Sequence, residues 1–502
     1  MSEHFDCDVV IVGYGPTGAV LANLLGHAGV RTMVYEREAD IYPLPRAAHY
    51  DGETMRVFQS LGLMQPIEAI SRPGNQGMHF QNAEGQTLLV RTASDKPGPH
   101  GFANNWYFHQ PDLERILRHG VDRYDCVEVR LQHEVVSVTQ DERAAFVQVR
   151  DLVGDEGERS ISTRYVIGCD GGRSLVRRTI GGASEDLGLH QPWLCLDLVL
   201  KRPVDLPEYT IQRCDPARPM TIVNMAGQRR RWEIMFMPGD DPETIAEPDK
   251  VWRLLAPWIT PHDAEIERSA IYTFHSVIAD TWRDRRLILA GDSAHQTPPF
   301  LGQGMCAGVR DASNLGWKLG AVLRDGAPDA LLDTYASERR PHVHAFISLA
   351  VKVGGVIQTT DPEVAATRDR SFARSGPEIF SYPVPQLGPG AHAGGAEPVG
   401  NVFAQFRLDD GRLMDDAIGL RFALLANDAA RAALAARSEL ASALARHDVV
   451  VLDAPGREAL AWLAREGLAA VLLRPDRYVA GVAEGVSDIT TLTRLLPKIE
   501  GR

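Results

Sequence analysis

Three glycine-bearing stretches hold the residues whose types and spacing can do chemistry. The first is Gly13-x-Gly15-x-x-Gly18, which follows the apolar run Asp8-Val9-Val10-Ile11-Val12. After it, Val20, Leu21, Leu24, Leu25 and Ala28 recur on one helical face. In such a loop one glycine makes the tight turn, one lets a pyrophosphate approach the backbone, and one lets helix and strand pack closely. The pyrophosphate then faces the positive end of the helix. Pro16 fits the first helical turn, Thr17 follows it, and Gly29 fits the carboxyl-terminal cap. Thr32-Met33-Val34-Tyr35 reads as a second strand ending at Glu36, which can accept hydrogen bonds from a ribose, with Arg37 beside it. Strand, loop, helix and terminal acid together predict dinucleotide binding; the alternative is a glycine-rich turn in an unrelated βαβ unit.

The second stretch runs from Tyr165 to Arg178: an apolar strand, then Asp170, Gly171 and Gly172, then the start of a helix. Taken alone it reads as a strand–turn–helix join with Asp170 as a cap. The third runs from Arg286 to Gly308. Its strand ends at Gly291-Asp292, a Pro298-Pro299 turn follows, and Gly302, Gly304, Met305 and Cys306 lead into a helix. Asp292 suits a ribityl chain, and the amide-rich helix start presents the partial positive charge that a reduced, anionic flavin needs. His295, beside the glycine turn, is read as structural.

The elements that must position these loops follow from pattern and composition. The chain has 502 residues, 44% of them apolar and 24% charged, which suits two or three globular domains. Its net charge of −13 argues against a nucleic-acid partner. The arginine clusters Arg229–Arg231 and Arg283–Arg286 read as solvated surface. Six scattered cysteines show no metal-ligand or redox spacing, so neither a metal site nor a disulfide framework is expected. Met1 to Cys7 carries acids without an apolar signal core, and no run reaches the ~20 apolar residues of a membrane span. The chain therefore reads as cytoplasmic.

The expected fold is α/β. A Rossmann-like nucleotide-binding domain of glutathione reductase type is assembled from residues 1–75, 105–185 and 281–355. Aromatic-rich alternating segments at 76–104 and 186–280 form a mainly antiparallel sheet domain inserted into it. Residues 356–400, rich in Pro and Gly, read as a linker. Residues 401–502 alternate strand-like and Ala/Leu-rich helical runs and contain no cysteine.

In order and separation, the three motifs resemble the single-component flavoprotein aromatic hydroxylases, the p-hydroxybenzoate hydroxylase family. The likeness covers about residues 5–355 and is nearest in character to the 3-(3-hydroxyphenyl)propionate hydroxylases. Arg213 to Pro219, Leu332 to Tyr335 with Glu338 to Arg340, Arg474 to Tyr478, and Pro398 to Gly400 ahead of Asp415 to Gly419 share that branch's character. The tail looks like the thioredoxin-like domain of related hydroxylases.

The resemblance implies FAD as cofactor, NADPH or NADH as electron donor, O₂ and a small aromatic as substrates, and oxygen transfer through a flavin C4a-hydroperoxide. Gly13, Gly15, Gly18 and Glu36 match the ADP-binding fingerprint. Arg46 and Gln110 match cofactor contacts, and Asp170-Gly171 matches a motif associated with FAD and pyridine nucleotide. Gly291-Asp292 matches the ribityl contact, Pro298-Pro299 the wall beside the isoalloxazine, and Gly302 to Cys306 its carbonyl cradle. Cys306 stands where the family usually has Asn, so a backbone contact survives there and a side-chain amide contact does not. His49, Tyr107 and His109 flank these positions and are the candidates for activating a phenol, with Pro299 beside the reacting centre. With no second G-x-G-x-x-G after a strand, the nicotinamide nucleotide is expected at a groove near Arg46 and Asp170. A homodimer, with the tail as subunit contact, is also expected. The alternatives are a Baeyer–Villiger or epoxidising enzyme acting on a polyketide-like aromatic, and a non-catalytic flavin-binding module. A disulfide reductase would need C-x-x-x-x-C and a halogenase W-x-W-x-I-P; neither is present.

Overall fold

A computed structural model describes residues 5–94, 96–154, 157–452 and 454–498. Residues 1–4 of the acidic amino-terminal stretch lie outside them. The apolar run after Asp6 forms the strand Cys7–Val12, buried on both faces and paired in parallel with Thr32–Glu36 and Glu158–Gly168. Leu287–Leu289 extends the sheet in parallel on the far side of Glu158–Gly168. Strands this buried must be apolar throughout, which is why they read as continuous runs.

The register of these strands places the three motifs. Val12 pairs with Gly168, and Gly168 with Leu289, so all three strands end at one level. Each motif leaves from its own strand end: Gly13, Cys169 and Ala290 follow immediately. Ligands of open parallel sheets bind beyond the carboxyl ends of the strands, so the loops converge because their strands are neighbours.

A second, nine-stranded sheet lies beside the first, built on the long strands Ser184–Leu200 and Ala264–Ala279. It is antiparallel except where Thr210–Arg213 meets Met78–Gln81 and where Glu378–Phe380 meets Thr87–Arg91. Its composition departs from the sequence reading at both ends. His295–Gln296, from the third motif, supplies one edge strand. Glu378–Phe380 supplies the other, from the segment expected to be a linker. That segment also carries the helix Pro362–Ser375, capped by Asp361. Its Pro and Gly residues cluster after residue 382, so composition averaged over 356–400 hid a regular first half.

Residues from 423 onward form a four-stranded sheet in the order Val450–Val451, Ala423–Ala426, Ala470–Leu473, Val479–Ala483. The first pair is parallel and the other two antiparallel, with helices in the connections, a thioredoxin-like arrangement. Alternation along Ala423–Ala426 divides the tail's apolar residues into two cores. Leu424 and Ala426 face one, Ala423 and Leu425 the other. Among the described residues no single helix is long and apolar enough to cross a membrane.

Candidate active site

The three loops and the floor of the second sheet enclose a cavity of about 340 Å³. Gly15, Pro16 and Thr17 come from the first loop, Gly171 from the second, and Asp292, Pro299, Gly302, Gly304 and Met305 from the third. Gly13 has φ +97°, and a Cβ there would lie 2.5 Å from the Cys169 carbonyl oxygen; a Cβ on Gly18 would lie 2.2 Å from that of Gly13. Those two glycines close the turn. At Gly15 a Cβ would meet nothing within 4 Å, so there the bare backbone faces the cavity.

Two helices begin at this cavity, Pro16–His27 and Gly304–Arg324, and neither has a side-chain cap. Their first N–H groups are left for a ligand. The Asp292 carboxylate opens onto the same space and has no hydrogen-bond partner among the described residues. The surrounding protein mass pushes its pKa above the ordinary carboxylate range. Glu36 accepts from the backbone N–H of Tyr14 at 2.8 Å and of Glu38 at 3.0 Å, which holds its carboxylate beside the first loop. Bare backbone, open helix starts and an unpartnered carboxylate around one cavity fit a pyrophosphate, a ring edge and a polyol chain, the parts of FAD.

Other expected contacts serve the frame instead. The Asp170 carboxylate accepts from Leu175 N at 2.6 Å and from Ser293 Oγ at 3.0 Å, so it ties the second loop to the third and starts a helix, the capping role read from sequence. Gln110 accepts from Arg46 N and Ala47 N at 2.7 and 2.6 Å and, with Arg46, lines the cavity. Gly291 donates to Asp311, and a Cβ on it would strike Thr17 Oγ1. Pro298 is buried behind Pro299. Arg37 is exposed and pairs with Glu38, away from the cavity. The Cys306 thiol is fully buried, 3.9 Å from the Gly302 carbonyl oxygen and outside the cavity lining; burial pushes its pKa up to about 12. His295 bonds Asp311 at 2.6 Å in the core, as a structural histidine does.

Of the three candidate phenol activators, the structure brings two together. His49 and Tyr107 are cross-strand partners in a small sheet, with ring centroids 6.2 Å apart, and both line the cavity. Tyr107 Oη bonds Thr210 Oγ1 at 2.6 Å. His49 Nδ1 meets the Gly302 carbonyl oxygen at 3.2 Å, which makes it the protonated nitrogen and leaves Nε2 as acceptor; Nε2 is buried and, although the Asn105 side chain stands beside the ring, makes no well-formed hydrogen bond, the Asn105 amide being engaged by Arg91 and the Gly74 carbonyl. Burial, reinforced by the positive charge of Arg91, lowers the His49 pKa to about 4. His109 is not at the cavity. It holds the N-cap position of the helix Gln110–Val121 without a side-chain cap hydrogen bond, and its Nδ1 meets the Asp112 carboxylate in the first turn at 2.9 Å.

The sheet floor was missed in sequence. Gln212, Thr221 and Glu233 form one cross-strand row, and Thr210, Val223 and Arg231 the next; all six line the cavity. Arg231 corrects the surface reading of its cluster: it is 3% exposed, paired with Asp197 at 2.7 Å, and donates to the carbonyls of Pro45 and Arg46. The available signal was polar residues two apart inside otherwise apolar strands.

Fold and site together define a flavoprotein with a partly open, ring-sized chamber. Residues 6–350 match the family model described as FAD binding domain, and residues 400–496 that described as HcaD C-terminal domain. A probable NADH-specific resorcinol 4-hydroxylase from Rhodococcus jostii is 37% identical over 97% of this chain and 94% of its own length. A 3-(3-hydroxy-phenyl)propionate/3-hydroxycinnamic acid hydroxylase from Mycolicibacterium smegmatis is 36% identical over 83% of this chain and 76% of its own. The solved structure of aklavinone-11 hydroxylase with FAD and aklavinone has a TM-score of 0.82 at 23% identity, covering 99% of this chain and all of that one, and shows the same fold. The chain belongs to the FAD-dependent aromatic hydroxylases.

Proposed function

We propose that this enzyme hydroxylates a small phenol of the resorcinol type, with NADH as electron donor. His49 carries the reading: a neutral imidazole at the cavity with its acceptor nitrogen unpartnered. The relatives' names point to resorcinol and to hydroxyphenyl acids as substrates of those proteins, and to NADH for one of them. The floor row Gln212–Thr221–Glu233 suits hydroxyl groups. Burial raises the Glu233 pKa, so this side chain can share a proton with a hydroxyl, whereas it disfavours a carboxylate beside it.

Bound FAD supplies the passage of electrons from NADH to O₂ and the delivery of one oxygen atom. The chain's own groups do the rest. Gly15 and the start of the helix Pro16–His27 hold the pyrophosphate, Asp292 the ribityl hydroxyls, and the N–H groups of Gly304 and Met305 the pyrimidine edge. His49 Nε2 accepts the hydrogen bond of the phenol, raising electron density on the ring. Met78, Val223, Phe274 and Leu301 keep water from the ring. Glu36, Arg46 and Gln110 complete the cofactor side.

In this reading residues 1–75, 105–185 and 281–355 carry the cofactor and 76–104 with 186–280 the substrate, with the tail from 401 outside both. The enzyme works in the cytoplasm as a homodimer; the reading of the compartment rests on six cysteines scattered without redox or metal-ligand spacing.

The test is a panel of resorcinol, phenol, 3-hydroxyphenylpropionate and 3-phenylpropionate, scored for NADH consumption against hydroxylated product. Resorcinol should give the highest ratio of product to NADH. NADH use without product from every phenol would sink the reading. Mass measurement in solution tests the dimer.

A further inference from the structure

We infer that Arg91 is the seat of an oxyanion carried by the aromatic substrate, an inference that rests on reading the cavity as a phenol site. Arg91 ends the strand Thr87–Arg91, lines the cavity and is 2% exposed. Its Nη2 donates to Asn105 Oδ1 at 2.7 Å, and its guanidinium carbon lies 4.7 Å from the centroid of the Tyr382 ring. Its Nε is buried without a partner. Among the described residues no carboxylate lies within ion-pair distance of it. Arg231, the other buried arginine at the cavity, is by contrast tied to Asp197. A buried guanidinium without an anion is costly, and the cost falls when a ligand brings one.

His49 shares its surroundings. Tyr382 lies 6.3 Å from the His49 ring, and the positive charge of Arg91 acts on that ring. Asn105 stands between the two, taking Arg91 Nη2 and lying beside the His49 ring, and it leaves Arg91 Nε–H and His49 Nε2 without a well-formed hydrogen bond. One such donor and one such acceptor match a hydroxyl, which accepts one bond and donates another. As the O–H bond opens toward His49 Nε2, the electron pair stays on oxygen, where Arg91 Nε–H holds it. A carboxylate would satisfy Arg91 but leave His49 facing a second acceptor, so the phenol oxygen is the preferred source. The other titratable groups around the pair are Tyr107, Tyr382 and Asp51; the Asp51 carboxylate is already bonded to Arg310 and Thr54.

The test titrates resorcinol, 1,3-dimethoxybenzene and 3-phenylpropionate into oxidised holoenzyme, wild type and Arg91→Met, following the flavin absorbance change. Arg91→Met should weaken resorcinol by about tenfold or more and leave the dimethyl ether within about threefold. Loss of phenylpropionate affinity instead would keep the seat and make a carboxylate its occupant. Unchanged affinity for both acids, in a variant that retains FAD, overturns the inference. A wild type that does not distinguish resorcinol from its ether overturns the phenol reading as well, so the two failures are separable. Should Arg91→Met not retain FAD, Arg91→Lys decides: it keeps the charge and loses the Nε–H, and resorcinol should weaken by at least about threefold with the ether unchanged. No change in that variant is equally fatal.

Discussion

Arg474 and Glu338 form a two-pronged ion pair, both contacts 2.9 Å, with both side chains fully buried. It joins the thioredoxin-like tail to the helix Asp333–Ile357. Glu338 also takes Lys318 at 2.8 Å, and Arg474 also holds Asp476. The two cations are not equivalent. The Asp476 and Glu338 carboxylates raise the Arg474 pKa and Arg474 in turn holds Glu338 well below the ordinary carboxylate range, whereas burial lowers the Lys318 pKa to about 8. The arginine stabilises the joint; the lysine is carried at a cost.

Removing the acid should therefore loosen the tail. Glu338→Gln leaves two buried cations underpaired and should cost about 3–5 kcal/mol. Differential calorimetry and limited proteolysis check it, and an unchanged melting profile would refute the joint. The pH dependence follows in sign. A carboxyl depressed on folding contributes stability above its unfolded pKa of about 4.3 and loses it as pH falls through the depressed value. Tail docking should weaken in acid, below about pH 4, and Glu338→Gln should flatten that slope.

Gly15→Val should separate folding from cofactor retention. A Cβ at this position meets no protein atom within 4 Å, so the melting temperature of the apoprotein should stay near wild type. The purified variant should be colourless because the branched side chain occupies the pyrophosphate path. A fully yellow variant would remove this loop from the cofactor site.

Asp292→Ala should weaken FAD by about 1.5–3 kcal/mol, the range for a hydrogen bond to a charged group. Fluorescence titration of apoprotein with FAD measures it. Equal affinities would assign the ribityl contact elsewhere.

His49→Phe should retain FAD and lower product formation by roughly 10²-fold or more, the usual scale for a positioned acid–base group. NADH should then be spent on H₂O₂. Because burial and Arg91 hold the His49 pKa to about 4, the imidazole is neutral above it. The acid limb of the wild-type rate should fall near pH 4 rather than near the ordinary histidine value of about 6.5. A limb that persists in His49→Phe would assign it to another group.

The cofactor side was legible in sequence because its demands are local. A turn needs Gly13, a buried parallel strand needs Val9 to Val12, and an open helix start needs no side chain before Pro16. The substrate side was not, because its demands are met between strands. Arg91, Gln212, Thr221 and Glu233 come from four strands, and only the register of the second sheet makes them neighbours. Cys306 marks the boundary between the two: its position in the motif was readable, but the direction of its thiol, into the core, depended on packing by the neighbouring helix.

The register of that floor has a bearing on how such an enzyme acquires new substrates. Thr221 and Val223 face the chamber while Ile222, between them, packs in the opposite core. One inserted or deleted residue in Met220–Asn224 would exchange the two faces, presenting Ile222 to the ring and driving a threonine hydroxyl into the apolar layer. Chain length along these strands is therefore frozen by the fold while side-chain identity on the chamber face is free, and diversification must proceed by single replacements rather than by gain or loss of residues.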